Sequence, residues 1–356
     1  MIGKIISKSS FYQIRDVILF ILDKFGINEI FRLKNKDKYI ILWYHGISKR
    51  YISYSKRHVA VFEFEREIKY LKRKNYIFIN LTDLNLVTKL KKREKFNQRY
   101  VIITFDDGFI NVIKNAYPIM EKYVAKGILY LVTDVIDKNQ LLWTDFIEVL
   151  IRNSFNLKFK FIYNDELIYY NLNSENDVQK ACKDIKEKLR KVDNTKRLEL
   201  LKQFGIPNTL SSFKSIPQEY LIVNWSDIKR LNKKILEIGC HTKTHPNLKR
   251  LRSDLEFDQE LKDSKDIIES KIGYEIKHFC YPGGAFNDNV IQYIKKFNYK
   301  TATTTLDGLN DKKTDLFKLK RLQMQNNYIV FKCKVSGFYS YIKKYLYNYS
   351  NLLRKI

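Results

Sequence analysis

The chain has 356 residues, 45% of them hydrophobic and 29% charged, which is typical of a globular protein and excludes extensive disorder. No internal repeat or Gly/Ser-rich linker divides it, and its length suits one enlarged domain as well as two ordinary ones. The net charge of +27 would draw the protein toward anionic polymers or anionic membrane surfaces. No zinc-finger spacing, basic zipper or aromatic RNA-binding signature accompanies this charge, so solvated basic faces are favoured over nucleic-acid recognition.

The cysteines and the chain termini narrow the class of protein further. The four cysteines form no CxxC pair, which argues against a disulfide framework or a cysteine zinc site. The apolar stretch VILFIL at residues 17–22 is too short to span a membrane and lacks a cleavage site, so we expect a cytoplasmic protein or one peripheral to the membrane. Residues 1–36 and 334–356 are predicted to be basic helical segments, the first with a helix over residues 11–33. Packing of both segments onto the same domain is favoured over membrane contact.

Short apolar runs alternate with helical stretches along the chain, and this rhythm predicts an α/β fold with a mainly parallel sheet or barrel. The predicted strands cover residues 39–44, 76–80, 100–105, 128–132, 235–239 and 301–305, with a further strand in HFC at 278–280. Helices are predicted around Phe64 to Leu71, Pro118 to Ala125 and Trp225 to Leu231, and from Ser253 to about Gly273.

The rhythm changes between Trp143 and Trp225. Residues 157–163 and 167–171 are typical of a hairpin, and helices are predicted after it. A helical stripe in this stretch indicates a core role for its cysteine: Val178, Cys182, Ile185 and Leu189. We therefore predict an α+β insertion at about residues 146–220, within a domain that spans residues 37–333.

Two pairs of polar residues could form one metal site. Asp106 and Asp107 directly follow the strand 100–105, and adjacent residues there cannot both point the same way, so one can bind a metal while the other faces water. His241 and His245 supply two imidazoles four residues apart, in a loop bounded by Gly239 and Pro246. Two histidines and one carboxylate leave positions open for water and substrate.

Each of these signals is weak when taken alone. A DDG sequence is a common turn, and we assign His58 and His278 to structure because no motif surrounds them. His45, at a strand end, is undecided between structure and chemistry. In barrel and doubly wound folds the loops after the strands converge at one rim, so these distant residues could meet there.

The combined order of three motifs resembles carbohydrate esterase family 4, the polysaccharide deacetylases with a NodB homology domain. These motifs are TFDDG at 104–108, HTKTH at 241–245 and YPGG at 281–284, and EIGCHTKTHPNL at 237–248 is the most specific stretch. The likeness extends from residues 44–48 to 319–324. It implies a distorted (β/α) barrel, a divalent metal that is often zinc, and hydrolytic removal of N-acetyl groups from amino sugars of a polysaccharide or glycan.

The resemblance also implies roles for individual residues. Asp106 would be the general base, and the metal ligands would be Asp107, His241 and His245. The turn at Pro282, Gly283 and Gly284 matches the one whose backbone N–H, here that of Gly283, helps to bind the oxyanion.

The sequence departs from the usual family pattern in two places. Cys280 stands where the family usually has an arginine, and no histidine follows His278 to act as the late general acid. A branch that acts on poly-N-acetylglucosamine takes this acid from an N-terminal YH motif, which His45 matches. Arg321 is the candidate that would hold Asp106 in place of the missing arginine.

Several alternative functions remain open at this stage. The same site could cleave O-acetyl esters, or the chain could be an inactive glycan-binding relative, although that reading predicts loss of Asp106, which is present. A non-haem iron oxygenase is disfavoured because its HxD motif and jelly-roll fold do not fit the α/β rhythm. A basic nucleic-acid binder ranks third.

Overall fold

The computed structural model describes residues 8–52, 55, 57–84, 98–138, 140–204 and 216–343, with the side chains of the first helix described from residue 13 onward. In chain order the strands are β1 (Ile40–Tyr44), β2 (Gly46–Ser48), β3 (His58–Ala60), β4 (Tyr76–Phe78), β5 (Arg99–Phe105), β6 (Gly127–Leu131), β7 (Lys158–Tyr163), β8 (Glu166–Asn171), β9 (Leu236–Cys240), β10 (His278–Cys280), β11 (Thr301–Thr303) and β12 (Leu322–Gln323).

The α-helices alternate with these strands, as the apolar periodicity predicts. They are α1 (Lys8–Lys24), α2 (Ile27–Lys34), α3 (Val61–Arg73), α4 (Tyr117–Tyr123), α5 (Trp143–Asn153), α6 (Glu175–Lys191), α7 (Asn194–Lys202), α8 (Trp225–Lys229), α9 (Asp254–Phe257), α10 (Asp263–Ile272), α11 (Asp288–Lys296) and α12 (Tyr328–Ser336). A capping box of Ser253 and Glu256 is present at the start of α9, and Gly273 ends α10 in the left-handed conformation.

The main sheet is parallel and curls into a distorted barrel. Its strand order is β11-β10-β9-β6-β5-β1-β12, with β4 also paired to β5. Leu319 pairs with Thr303 of β11, and Leu322 pairs with Leu42 of β1, so the short segment 319–323 links the two edges of the sheet. The predicted α/β class and the distorted (β/α) barrel are confirmed.

Both faces of this sheet are buried, which explains why its strands are continuous apolar runs. Ile41, Ile102 and Tyr130 belong to one core cluster together with Cys280. Residues one position further along the strands, such as Leu42, belong to a second and larger cluster, which includes side chains of the surrounding helices. Because the strands are parallel, their carboxyl ends meet at one rim, where His45, Asp106 and His241 each follow a strand.

The stretch between β6 and α8 folds around a hydrophobic cluster of its own. This cluster contains Phe146 of α5, Phe161 of β7 and Ile185 of α6, and Cys182 lies within it as predicted. The β7–β8 hairpin turns at Asn164 and Asp165, which both have positive φ. Helix α5 begins at Trp143, three residues before the predicted boundary of the insertion, and the division of the chain into domains stays a prediction.

The N-terminal segment differs from the single amphipathic helix predicted for residues 11–33. It forms two helices, because Gly26 adopts a left-handed conformation with φ 80° between them. One side of α1 faces the protein, where Leu19 is buried, Asp16 accepts a hydrogen bond from Asn327 and Asp23 pairs with Lys332. A second set of apolar residues of α1 is exposed along one stripe, at Ile14, Val17, Ile18 and Ile21.

Residues 344–356 of the predicted C-terminal tail lie outside the described residues. Among the helices that the structure describes, none has the length and apolar character that crossing a membrane requires.

Candidate active site

One carboxylate and two imidazoles converge at the rim of the barrel. Oδ1 of Asp107 lies 3.5 Å from Nε2 of His241 and 3.6 Å from Nε2 of His245. These distances exceed those of good hydrogen bonds, but two ligands that are each ~2.1 Å from one tetrahedral ion lie about 3.4 Å apart. The three residues therefore fit a divalent cation between them, as the sequence predicts.

The backbone around these ligands is strained. Asp107, Thr242 and His245 all have positive φ, of 75°, 71° and 57° respectively. Such conformations are costly for residues other than glycine and persist only where neighbouring contacts enforce them. The HTKTH segment is a loop rather than a helix, as Gly239 and Pro246 predict.

The orientation of His241 is fixed from behind. Its Nδ1 atom lies 2.7 Å from the carbonyl oxygen of Cys280 in β10, and its backbone N–H donates to Leu131 at 2.8 Å. An imidazole that donates from Nδ1 presents Nε2 as the free lone pair, which is the form a metal ligand needs. The contacts of His241 with β6 and β10 therefore leave Nε2 as the atom that can bind a metal.

A buried carboxylate holds the middle of the histidine loop. Glu260 is 2% exposed and accepts hydrogen bonds from the backbone N–H groups of Lys243 and Thr244, at 3.0 and 2.9 Å. It also accepts one from the hydroxyl of Thr244 at 2.5 Å. Burial raises the pKa of Glu260, although these bonds favour the charged form.

The insertion holds the same loop from the other side. Arg197 of α7 is 2% exposed, and its Nη1 donates to the carbonyl oxygens of Thr244 and His245, both at 3.1 Å. Nε1 of Trp143 donates to the same His245 oxygen at 2.9 Å. Burial lowers the pKa of Arg197 to about 10, so it still donates as a cation. Two helices of the insertion therefore fix the position of a predicted metal ligand.

Asp106 forms a two-pronged ion pair with Arg321. Nη1 donates to Oδ1 at 2.7 Å, and Nη2 donates to Oδ2 at 2.8 Å. Burial alone would raise the pKa of Asp106, but the charge and hydrogen bonds of Arg321 hold it below the usual value. Nη2 also lies 3.2 Å from Sγ of Cys280, so the guanidinium lies beside the residue that stands at the family's arginine position.

His45 lies on the opposite side of Asp107 from the other two histidines. Its Nε2 is 4.0 Å from Oδ2 of Asp107, and its ring packs against that of Trp43 with centroids 5.2 Å apart. Burial lowers the pKa of His45 to about 4 despite the nearby carboxylates, so its imidazole is neutral at neutral pH. The structure therefore brings this N-terminal residue to the predicted metal site.

The predicted oxyanion turn borders a small recess of about 90 Å³ at the same rim. Gly283 has φ 57° and nothing would meet a Cβ placed on it, whereas Gly284 faces Thr305 closely. The recess is lined by residues of the turn, the histidine loop and the insertion, among them Pro282, Gly283, His245, Trp143 and Arg190.

Sequence reasoning missed several polar residues around this site. Arg57 pairs with Asp107 at 3.5 Å and with the fully buried Asp145 of α5, yet no motif surrounds either residue. Arg197 and Glu260 carry no signal in the sequence beyond being charged residues on amphipathic helices. Only the change of rhythm at Trp143 could have drawn attention to the insertion.

Comparison with known proteins agrees with this geometry. The pattern that defines the polysaccharide deacetylase family matches residues 184–302, which include His241, His245 and Gly283. Residues 184–302 are thus similar to the polysaccharide deacetylase family.

The chain is also similar to curated proteins and to solved structures. Poly-beta-1,6-N-acetyl-D-glucosamine N-deacetylase from Staphylococcus aureus is 26% identical over 201 residues, 56% of this chain and 64% of that protein. The deacetylase PplD from Streptococcus pyogenes, solved in complex with acetate, has a TM-score of 0.52 at 20% identity and covers 82% of this chain and 93% of its own. IcaB from Ammonifex degensii has a TM-score of 0.53 at 13% identity, covering 85% and 97%. These two structures show the deacetylase fold.

Proposed function

We propose that the chain is a metal-dependent hydrolase that removes N-acetyl groups from amino sugars of a polysaccharide or glycan and releases acetate. The observation that supports this most strongly is the arrangement of the two adjacent aspartates. Asp107 faces two imidazoles, while Asp106 is bound through both oxygens by Arg321. One carboxylate is thus available to a cation, and its neighbour is available to a proton.

A divalent cation fits the donor set of Asp107, His241 and His245, and we propose Zn²⁺ because nitrogen donors and one carboxylate in a site with an open position suit it. When bound, such an ion lowers the pKa of water toward ~7 and polarises a carbonyl group.

Asp106 is the proposed general base. Arg321 keeps it ionised and fixes both of its oxygens, so it can accept the proton of an attacking water without rotating away. The same ion pair restrains Asp106 from competing with Asp107 for the cation.

The leaving nitrogen needs a proton, and His45 is the proposed donor. Because His45 is neutral in the free protein, we propose that it receives the proton that Asp106 has taken from water and passes it to the leaving amine. The backbone N–H of Gly283 is the proposed donor to the oxyanion that forms when water adds to the acetyl carbonyl.

The same machinery would also act on an O-acetyl ester, for which departure of the alcohol requires less help from an acid than departure of an amine. An inactive glycan-binding relative is less well supported, because Asp106, Asp107 and both histidines are present and converge.

The experiment is acetate release from N-acetylglucosamine oligomers, and from an O-acetylated glycan, after chelation and stepwise return of Zn²⁺, Co²⁺, Ni²⁺ or Mn²⁺. We expect the wild type to release acetate with metal and Asp106→Asn to lose at least 100-fold in rate. Equal inactivity of the wild type and Asp106→Asn with every metal on every glycan would refute the hydrolase proposal.

The exposed stripe on α1 supports a second proposal, that the N-terminal helix lies on an anionic membrane surface. The acidic residues Asp16 and Asp23 face the protein, so the outward apolar stripe carries no negative charge and ends at the exposed Lys24. We expect co-sedimentation with phosphatidylglycerol vesicles but not with phosphatidylcholine vesicles. Val17→Glu with Ile21→Glu should abolish it, whereas the control Leu157→Glu with Leu255→Glu, also exposed, should not.

A further inference from the structure

A second and much larger cavity lies beside the candidate active site, with a volume of about 690 Å³. Its walls come from three segments: residues 48–50 after β2, residues 110–115 after the two aspartates, and residues 218–221 before α8. Asn111 is four residues from Asp107, so their Cα atoms are at most about 14 Å apart. Ser48 is likewise three residues from His45. A short oligosaccharide bound at the active site would therefore reach this cavity.

The cavity is strongly basic. Lys49, Arg50 and Lys114 are exposed in its lining, and none of the three has an ion-pair partner among the described residues. Glu219 is the single acidic residue in this lining, which leaves an excess of positive charge. Concave walls concentrate such a field more than a flat surface does.

The wall that carries these cations is held firmly by side-chain amides. Oδ1 of Asn111 accepts a hydrogen bond from the backbone N–H of Ile47 at 3.1 Å, and Nδ2 of Asn115 donates to the carbonyl oxygen of Ile47 at 2.7 Å. The Ser48 hydroxyl bonds the backbone of Arg50, which turns the chain there. The cavity is thus formed before any ligand arrives.

A neutral polymer offers these cations hydrogen-bond acceptors but no negative charge to pair with. The Staphylococcus aureus relatives are named for an uncharged N-acetylglucosamine polymer. Deacetylation of such a polymer produces an ammonium group, which a basic cavity would repel. The excess positive charge is consistent instead with an anionic group on the glycan, near the acetylated sugar, and with the net charge of +27 for the whole chain.

We infer that this cavity is a subsite for an anionic group, a carboxylate or a phosphate, and that the substrate is an acidic glycan containing N-acetylated amino sugars. The inference rests on the proposed function and narrows its substrate class. The anionic group binds at Lys49, Arg50 and Lys114, and the acetyl group of a nearby sugar then faces Asp106.

The test compares three oligosaccharides of equal length: uncharged N-acetylglucosamine, alternating glucuronate and N-acetylglucosamine, and N-acetylglucosamine joined through phosphodiesters. Acetate release is measured with each at low and high salt. We expect kcat/KM for at least one acidic oligomer to exceed that for the neutral one by tenfold or more, and salt to reduce this ratio. The acidic oligomer with the higher kcat/KM shows whether the subsite prefers a carboxylate or a phosphate.

The variant Lys49→Gln with Arg50→Gln and Lys114→Gln should bring the ratio of acidic to neutral activity toward one. The matched control is Lys160→Gln with Lys271→Gln and Lys300→Gln, three exposed cations remote from this cavity in sequence, and it should keep the wild-type ratio. A wild-type ratio of one or less, or an equal ratio in both triple variants, would overturn the inference while leaving deacetylation intact.

Binding to Asp106→Asn separates this inference from the proposed function. If no oligomer releases acetate, the hydrolase proposal fails, yet fluorescence anisotropy of labelled oligomers on this variant still tests the subsite. Tighter binding of an acidic oligomer that is lost in the Lys49, Arg50 and Lys114 variant supports the subsite. Equal binding of acidic and neutral oligomers refutes it.

Discussion

Arg321 and Asp106 are 215 residues apart in the chain, and both oxygens of the carboxylate are bound by the one guanidinium, at 2.7 and 2.8 Å. Both side chains are almost completely buried. Removing one member of such a pair leaves an uncompensated buried charge.

Arg321→Met should therefore reduce both stability and activity. We expect a loss of about 3–5 kcal/mol in the free energy of unfolding at pH 7 and at least a 100-fold loss in kcat/KM. Arg321 holds the pKa of Asp106 low, so the stability that the pair contributes is present at neutral pH and is lost as the pH falls. Denaturant unfolding should show the gap between wild type and variant narrowing as the pH falls below about 4. A gap that stays constant with pH would contradict this account.

Arg197 should affect metal binding without touching the metal. Arg197→Met removes the hydrogen bonds that hold Thr244 and His245, and we expect the metal affinity of the apo protein to fall 10- to 100-fold. Competition with a chromophoric chelator measures this affinity without any substrate. Lys196→Met, on the same helix but paired only with Glu199 at the surface, is the control and should bind metal like the wild type. Equal affinities in the two variants would count against the positioning role.

Glu67 should make the free energy of unfolding depend on pH. It is fully buried on α3, where it accepts a hydrogen bond from the Tyr44 hydroxyl at 2.6 Å. Burial raises its pKa from 4.5 to about 8, with Glu63 adding to the rise and Lys334 opposing it. A raised carboxyl pKa means that the folded protein binds the extra proton, so stability falls as the pH rises from about 4.5 through about 8.

The expected loss for the wild type between pH 6 and pH 9 is about 2–3 kcal/mol from this group. Glu67→Gln should remove that part of the dependence in urea unfolding experiments. Glu65→Gln on the same helix is the comparison. Lys122 and Tyr123 lower the pKa of Glu65 to about 2, which lies outside the range from pH 6 to pH 9. If Glu67→Gln and Glu65→Gln show the same slope, the buried carboxyl is not its origin.

Alanine substitutions at the two glycines of the oxyanion turn should differ sharply in their effect on stability. Gly283→Ala keeps the N–H group and meets no atom within 4 Å, so we expect a loss of about 1–2 kcal/mol for the left-handed conformation and little change in kcat. At Gly284 a Cβ would come within 2.0 Å of Oγ1 of Thr305, so Gly284→Ala should destabilise more. Adding Thr305→Ala should recover part of that loss, and thermal unfolding of the four proteins checks it.

The loss of activity on removal of the His45 imidazole should depend on the leaving group of the substrate. We expect His45→Gln to lower acetate release from an N-acetylated sugar by 10²- to 10⁴-fold and to affect an aryl acetate much less, because a phenolate leaves without a proton. His58→Gln is the comparison: His58 bonds Ser55 and the carbonyl oxygen of Glu219, so its loss should lower stability. Equal losses on both substrates for His45→Gln would remove it from the role of acid.

The convergence of Asp107 and His241 was predictable because both come shortly after a buried strand. Asp107 and His241 come directly after runs whose apolar character marks them as parallel strands, and such strands end at one rim. The fold was predictable for the same reason. The boundary of the insertion was less so, since Trp143 already belongs to α5 and to the wall of the site.

The supporting residues could not be predicted because their partners are set by the packing of distant helices. Arg197 resembles any other arginine on an amphipathic helix, and its role depends on α7 lying over the histidine loop. The exposed apolar stripe of α1 was missed for a similar reason. Periodicity shows that an apolar stripe exists, but only the contacts of Asp16 and Asp23 show which side faces the protein.

The left-handed backbone at Asp107, Thr242 and His245 has a consequence for how the protein can change over generations. Asparagine or glycine at Thr242 would relax the loop and stabilise the folded state, since these residues tolerate positive φ. The same relaxation would widen the range of positions open to His245, whose N–H now donates to the Thr242 hydroxyl at 3.0 Å. Selection for robustness and selection for a rigid ligand loop therefore act in opposite directions on Thr242.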